Sequence, residues 1–253
     1  MADAPARDDL SRDDLALQLA AATRVLVQHG VLGYSGHLSV RGPQPGTFLI
    51  QPGDDGRDGL EPGRVLTVDL DGGLVTGDAQ PPIERFIHSE LYRARPDVGA
   101  VAHFHHDVST LLTLVDGLVF RPLKNHSSRW GSDVPVHPDL THIRTPEQGR
   151  QLAGTLGGSH AAMLRAHGQV LVAEDVPHLL ADAVHFVENT DLLVRAAGLG
   201  QPLVPLSDAE VTAFRESFSR PRHARKLWAY HLGLAERAGV IPPEWVRRLS
   251  PGA

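Results

Sequence analysis

Residues 8–29, DDLSRDDLALQLAAATRVLVQH, carry apolar positions at helical spacing, and Gly30 is a natural stop. The period then changes. In GYSGHLSVR (33–41) glycines for a tight turn lead into the alternation of a strand, and FLIQPG (48–53) reads as a strand running into a turn. VLTVDLDGGLVTGD (65–78) reads as a hairpin that turns at Asp71, Gly72 and Gly73. Over 83–95 the helical stripe Phe86, Ile87, Leu91 and Tyr92 returns, and Pro96 ends it. VGAVAHFH (98–105) is a short, largely apolar run that suits a buried strand, after which Asp107 is expected to cap a helix carrying Val108, Leu111 and Leu112. Further on, the pattern predicts a helix over 146–157, a strand, turn and strand over 161–173, a long helix over 176–198, and one or two helices within 207–237.

Helices flanking several short strands, some paired as hairpins, indicate an α/β sandwich with a mixed or antiparallel sheet. No repeat or low-complexity linker interrupts the 253 residues, so one domain over 1–253 is expected, with a C-terminal helical tail from about 207. A net charge of -6 with scattered basic residues argues against a nucleic-acid partner. The short run RPRHARK (220–226) reads as a solvated helix end. The acidic, polar MADAPARDDLSRDD is not a signal sequence, and no segment reaches the roughly 20 apolar residues that span a bilayer, so a cytoplasmic protein without a membrane partner is expected.

The chain has no cysteine and 15 histidines, so any metal site must be built from imidazoles and carboxylates. HFHH (103–106) is the natural place to look. On a strand, His103 and His105 share a face, whereas Phe104 and His106 point to the other unless the strand ends and a turn re-aims them. Two imidazoles make half of a zinc-type site. His167, in LRAHGQVLV between two apolar segments, is the third ligand candidate, although a solvent-facing turn residue would look the same. Glu84, in PPIERFIH at the start of the helix feeding the HFH strand, could act there as base or acid, or could simply favour the helix dipole.

These segments resemble the class II aldolase/adducin family. The resemblance runs in family order through GYSGHLSVR, VLTVDLDGGLVTGD, IERFIHSELYRARPDVGAVAHFHH and MLRAHGQVLVAEDV. It implies a three-layer α/β/α sandwich with a central mixed, mainly antiparallel sheet. It further implies a divalent ion, Zn2+ first and Mn2+, Co2+ or Fe2+ as alternatives, on His103, His105 and His167, with Glu84 as catalytic acid/base. A homotetramer with sites near subunit contacts is also implied. His106 has no ligand role in the pattern, and His88 reads as a residue that supports the site.

The chain departs from the sugar-phosphate aldolases of that family where they bind phosphate. Gly36-His37 stands at their Gly-Asn turn, Gly53-Asp54 at their Ser-Gly turn, and Pro82-Ile83 at their Ser-Ser pair. Pro82 has no N–H, Ile83 has no hydroxyl, and Asp54 would repel a phosphate dianion. The GH…PPxE variant resembles the branch that decarboxylates hydroxylated aromatic acids such as dihydroxyphthalate. The expected activity is therefore a metal-dependent lyase on a small non-phosphorylated substrate, in which the ion stabilises the electrons left when a carbon–carbon bond breaks. A retro-aldolase, an epimerase or dehydratase, and a non-catalytic adducin-like domain are the alternatives. Gly36, His37, Pro82 and Ile83 are expected to shape the substrate pocket. His126 and Arg129, in KNHSSRW, are expected to contribute a cation for a carboxylate, and Tyr230 to act from the C-terminal segment, which could reach a neighbour's site.

Overall fold

The computed structural model describes residues 10–132 and 134–250. The first helix, α1 (Arg12–Gln28), begins at a Ser11 cap whose side chain accepts from the Asp14 N–H, while Asp14 reaches back to the Ser11 N–H. Positions 8 and 9 of the expected helix lie outside the described residues. Four strands follow: β1 (His37–Arg41), β2 (Thr47–Ile50), β3 (Leu66–Asp69) and β4 (Leu74–Thr76). Then come α2 (Arg85–Ala94), β5 (Ala100–Phe104), the single turn α3 (Asp107–Thr110), β6 (Val136–His137) and α4 (Pro146–Leu156). The chain continues through β7 (Ala161–Leu164), β8 (Gly168–Ala173) and α5 (Val176–Ala197) to α6 (Asp208–Ser217), α7 (Arg220–Arg237) and α8 (Pro243–Leu249).

Among the described residues eight strands form one sheet in the order β4-β3-β2-β1-β5-β8-β7-β6. Every pairing is antiparallel except β6 with β7. The result is a mixed, mainly antiparallel sheet between two helical layers, as expected. β5 lies at its centre between β1 and β8, which is why VGAVAHFH is apolar on both faces.

Strand alternation divides the core. Leu38, Val40, Ala100, Ala102, Phe104 and Leu171 face the layer of α1, α5 and α7. Val101, Val170 and Val172 face the layer of α2 and α4, where they meet Ile87 and Leu91. His103, two residues after Val101, therefore emerges on the α2 face while Phe104 is buried in the other layer. No helix among the described residues is long and apolar enough to cross a membrane.

Two local expectations are corrected. His106, not Asp107, caps α3: β5 ends at Phe104, the chain turns, and the His106 ring accepts from the Ser109 N–H at 3.3 Å. RPRHARK is solvated only in part: Pro221, Arg222, Arg225 and Lys226 are exposed, but Arg220 opens α7 against Asp182 at 2.6 Å and Glu174 at 2.8 Å. Those carboxylates offset the cost of a basic helix start.

Candidate metal and catalytic site

Four groups converge where β5, the β7–β8 turn and the start of α2 meet. Glu84, His103, His105 and His167 each present a ligating atom, and these atoms all lie within 4.8 Å of one another. Strand geometry brings His103 and His105 together, with their Nε2 atoms 2.9 Å apart. His167 comes from the turn between β7 and β8, where Ala166 takes the left-handed backbone at φ 54°. Strain of that kind collects at functional turns. Gly168 follows because its backbone lies against β5: a Cβ there would stand 2.5 Å from the Phe104 carbonyl and 2.6 Å from the His105 ring. Glu84 stands at the N-cap of α2, yet its side chain makes no cap bond. Its Oε1 instead accepts the Ile143 N–H at 3.0 Å, and its Oε2 lies 3.5 Å from His103 Nε2.

The neighbours of the histidines select their tautomers. His103 Nδ1 lies 3.1 Å from the Gln169 carbonyl and donates to it, which turns Nε2 toward Glu84 and the cluster. His105 Nδ1 meets Ser35 Oγ at 2.8 Å, and its Nε2 likewise faces the cluster. Burial, followed by the neighbouring His103 imidazole, lowers His105 to about 3 and His167 to about 4, so both are neutral at physiological pH. Glu84 is raised by burial, but the His103 imidazole, then His167 and the Ile143 N–H, outweigh it and hold the carboxyl at about 2.

The donor set fits a divalent ion. Both ring nitrogens of His167 are buried without a hydrogen-bond partner, an expensive arrangement that coordination would relieve. Three imidazoles, two of them oriented by Gln169 and Ser35, with one adjacent carboxylate match the ligands of catalytic zinc-type sites.

The remaining expected site residues divide into two groups. His37 pairs with His103 across β1 and β5, and their rings are 5.2 Å apart. Its Nδ1 meets His88 Nε2 at 2.6 Å, His88 Nδ1 meets Ser39 Oγ at 2.6 Å, and Ser39 Oγ meets Tyr92 OH at 2.8 Å. Glu84, His88 and Tyr92 recur every fourth residue, so one stripe of α2 carries both the carboxylate and this buried relay. Gly36 adopts φ 90°, and a Cβ there would stand 2.8 Å from the His103 carbonyl. Its own carbonyl accepts from Arg57 at 2.9 Å and Gln51 at 3.1 Å. Pro82 is buried beside Gly53, while Ile83 is 54% exposed. The second group is not brought to Glu84 within the chain. His126 and Arg129 lie on a 3-10 turn (Asn125–Arg129) that packs against α5 and α6, which carries them to a separate cavity. Tyr230 is 59% exposed on α7, with its ring edge-on to His231.

Three neighbours were not anticipated from sequence. His142 Nδ1 lies 3.5 Å from Glu84 Oε1, and its ring is 5.3 Å from that of His167. Gln169 orients His103 at the end of β5, and Ser35 orients His105 just beyond it. A signal existed for Ser35, inside the glycine turn GYSGH, but none for His142, whose loop has no periodicity.

Fold and cluster together define an α/β/α sandwich with a candidate metal site, and comparison with known proteins gives the family. Residues 17–194 match the Class II Aldolase and Adducin N-terminal domain, and the chain belongs to that family. It is 28% identical over 207 residues to 3,4-dihydroxyphthalate decarboxylase of Arthrobacter keyseri, covering 76% of this chain and 83% of that one. It is 30% identical over 189 residues to 3-oxo-tetronate 4-phosphate decarboxylase of Escherichia coli, covering 72% and 86%. L-fuculose 1-phosphate aldolase from Glaciozyma antarctica shares the fold with a TM-score of 0.79 at 20% identity over 94% of each chain. The relatives of this chain thus include decarboxylases and aldolases.

Proposed function

We propose that the protein is a divalent-metal-dependent carbon–carbon lyase that decarboxylates a small hydroxylated carboxylic acid, of aromatic type and without phosphate. The observation that carries this reading is the convergence of an ionised Glu84 with His103, His105 and the unpartnered His167. The residues 1–253 act in this reading as one catalytic unit with a helical tail from about 207.

An ion held by the three imidazoles, Zn2+ first, would supply a Lewis acid for the oxygens of a chelating substrate and offset developing negative charge. Glu84 takes the proton of the substrate hydroxyl and returns it to carbon. The carboxylate departs as carbon dioxide, its bonding pair stays on the carbon, and that carbon takes up one proton. Ile143 keeps the Glu84 carboxylate aimed at the cluster, and the buried His37–His88–Ser39–Tyr92 chain holds the His37 ring beside His103. His37 and the Gly36 turn then border the substrate opposite Glu84.

Loop chemistry favours an unphosphorylated substrate. The 53–58 loop carries Asp54, Asp55 and Asp58, and the guanidinium of Arg57 beside them is already spent on the Gly36, Pro52 and Gly53 carbonyls. The Escherichia coli relative acts, by its name, on a phosphorylated acid, whereas the Arthrobacter keyseri relative acts on dihydroxyphthalate. The acidic loop here supports the second type of substrate. A homotetramer belongs to the same reading. Ala166, in the His167 turn, donates to Thr113 Oγ1 at 3.0 Å, and the adjoining Leu114 and Val115 are 53% and 50% exposed. A second copy would cover them beside the site.

The test is product analysis with metal-reconstituted protein and a panel of hydroxylated benzoic and phthalic acids. Metal-dependent release of carbon dioxide supports the reading. An aldehyde product, or isomerisation without loss of a fragment, would replace decarboxylation with retro-aldol or epimerase chemistry.

A further inference from the structure

A second histidine triad lies away from Glu84. His126 stands on the 3-10 turn, His185 on α5 and His223 on α7, and their ligating atoms lie within 4.8 Å of one another. Three separate elements thus deliver one imidazole each to the wall of a cavity of about 650 Å³. His185 Nε2 and His223 Nε2 are 2.9 Å apart, the same contact that His103 and His105 make at the first site. Their ring centroids are 5.2 Å apart with planes within 19°, so the two rings meet edge to edge with nitrogens opposed. The His126 ring lies against both, at 4.4 and 4.3 Å.

The surroundings combine ring packing with polar support: the His126 ring lies 5.7 Å from Phe214 and 5.2 Å from Phe218, and a carboxylate stands behind His185. His185 Nδ1 lies 3.3 Å from Glu188 Oε2, and Glu188 is itself paired with Lys124. A carboxylate on Nδ1 fixes the tautomer and leaves Nε2 with its lone pair, as it does behind metal-bound imidazoles. His126 Nδ1 is buried with no hydrogen-bond partner. Apolar side chains would fill such a space without leaving that nitrogen bare.

We propose that His126, His185 and His223 form a second site for a divalent first-row transition ion, with zinc as the simplest occupant. The opposed nitrogens of His185 and His223 would part slightly to admit the ion, and His126 would turn its bare nitrogen toward it from above. Three imidazole ligands would leave at least one coordination position open to the cavity. Phe218, Trp130 and His160 line that cavity with Arg129 and Arg220, whose guanidiniums are held by Glu174 and Asp182.

The experiment is metal stoichiometry of the full-length protein, stripped with chelator, reloaded with Zn2+ alone, dialysed and analysed by plasma mass spectrometry. Wild type is expected to hold two equivalents per chain, His185→Ala and His223→Gln one each, His103→Ala one, and the His103→Ala/His185→Ala double variant none. Reloading with Co2+ should give visible absorption from two environments, of which His223→Gln removes one. Circular dichroism of both single variants checks that each remains folded. One equivalent in wild type that survives His185→Ala and His223→Gln overturns the second site. One equivalent in wild type that survives His103→Ala but is lost in His185→Ala instead overturns the first site and leaves the second standing.

Discussion

Glu84 Oε1 accepts the Ile143 backbone N–H at 3.0 Å while Oε2 faces His103. One oxygen is thus committed to position and the other to chemistry. Glu84→Gln keeps an oxygen for Ile143 but removes the proton acceptor. Its expected effect is a loss of carbon dioxide release by roughly 10²–10⁴-fold, the usual contribution of a positioned acid/base, with metal content unchanged. Rates near wild type in this variant would reject the acid/base role.

His88 is fully buried and bonded at both ring nitrogens, to His37 and to Ser39. His88→Leu preserves much of the volume and strands those two partners. Stability to urea is expected to fall by about 1–3 kcal/mol, the range for buried polar groups left unpaired. An unchanged unfolding midpoint would show that the relay carries no structural load.

Glu174, directly after β8, ties the start of α7 and the 3-10 turn to the end of that strand through Arg220 and Arg129. Burial raises its pKa, but the hydrogen bond from Arg220 and the charges of Arg129 and Arg220 prevail and hold it at about 2, below the ordinary 4.5. A carboxyl depressed on folding stabilises the protein above its unfolded pKa, and that contribution is lost as pH falls through the folded one. Wild type should therefore melt higher than Glu174→Gln at neutral pH, and the gap should close between about 4.5 and about 2. A gap that persists at the acid end would contradict the ion-pair explanation.

Phosphate offers a cheap test of the acidic 53–58 loop. Inorganic phosphate and phosphorylated hydroxy acids are expected not to compete with an unphosphorylated substrate, because Asp54, Pro82 and Ile83 supply no donor side chain. Competitive inhibition by phosphate in steady-state assays would revive a sugar-phosphate substrate.

Much of this was legible in the sequence, for identifiable physical reasons. A strand period of two set His103 and His105 on one face and Phe104 in the opposite layer, and glycine beside His167 marked a turn pressed against β5. Apolar runs located β5 and β8, and the stripe from Phe86 to Tyr92 located α2. What stayed hidden depends on contacts between distant segments. His142 reaches Glu84 from an aperiodic loop, and β6 is a pair of residues whose strand state depends on its neighbour β7. His126 looked like a cation for the main site because it follows the metal strand in sequence. Its 3-10 turn packs on α5 and α6 instead, and no local pattern announces that it meets His185 and His223. His106 could be set aside as a ligand, but its part as the cap of α3 depends on where β5 stops.

The central claim is that His103, His105 and His167 hold a divalent ion beside Glu84. The most direct measurement is the metal bound per chain in wild type against His103→Ala, both folded by circular dichroism and loaded identically with Zn2+. The expected result is a difference of one equivalent, whatever the His185 cluster holds. Equal metal in the two proteins would contradict it.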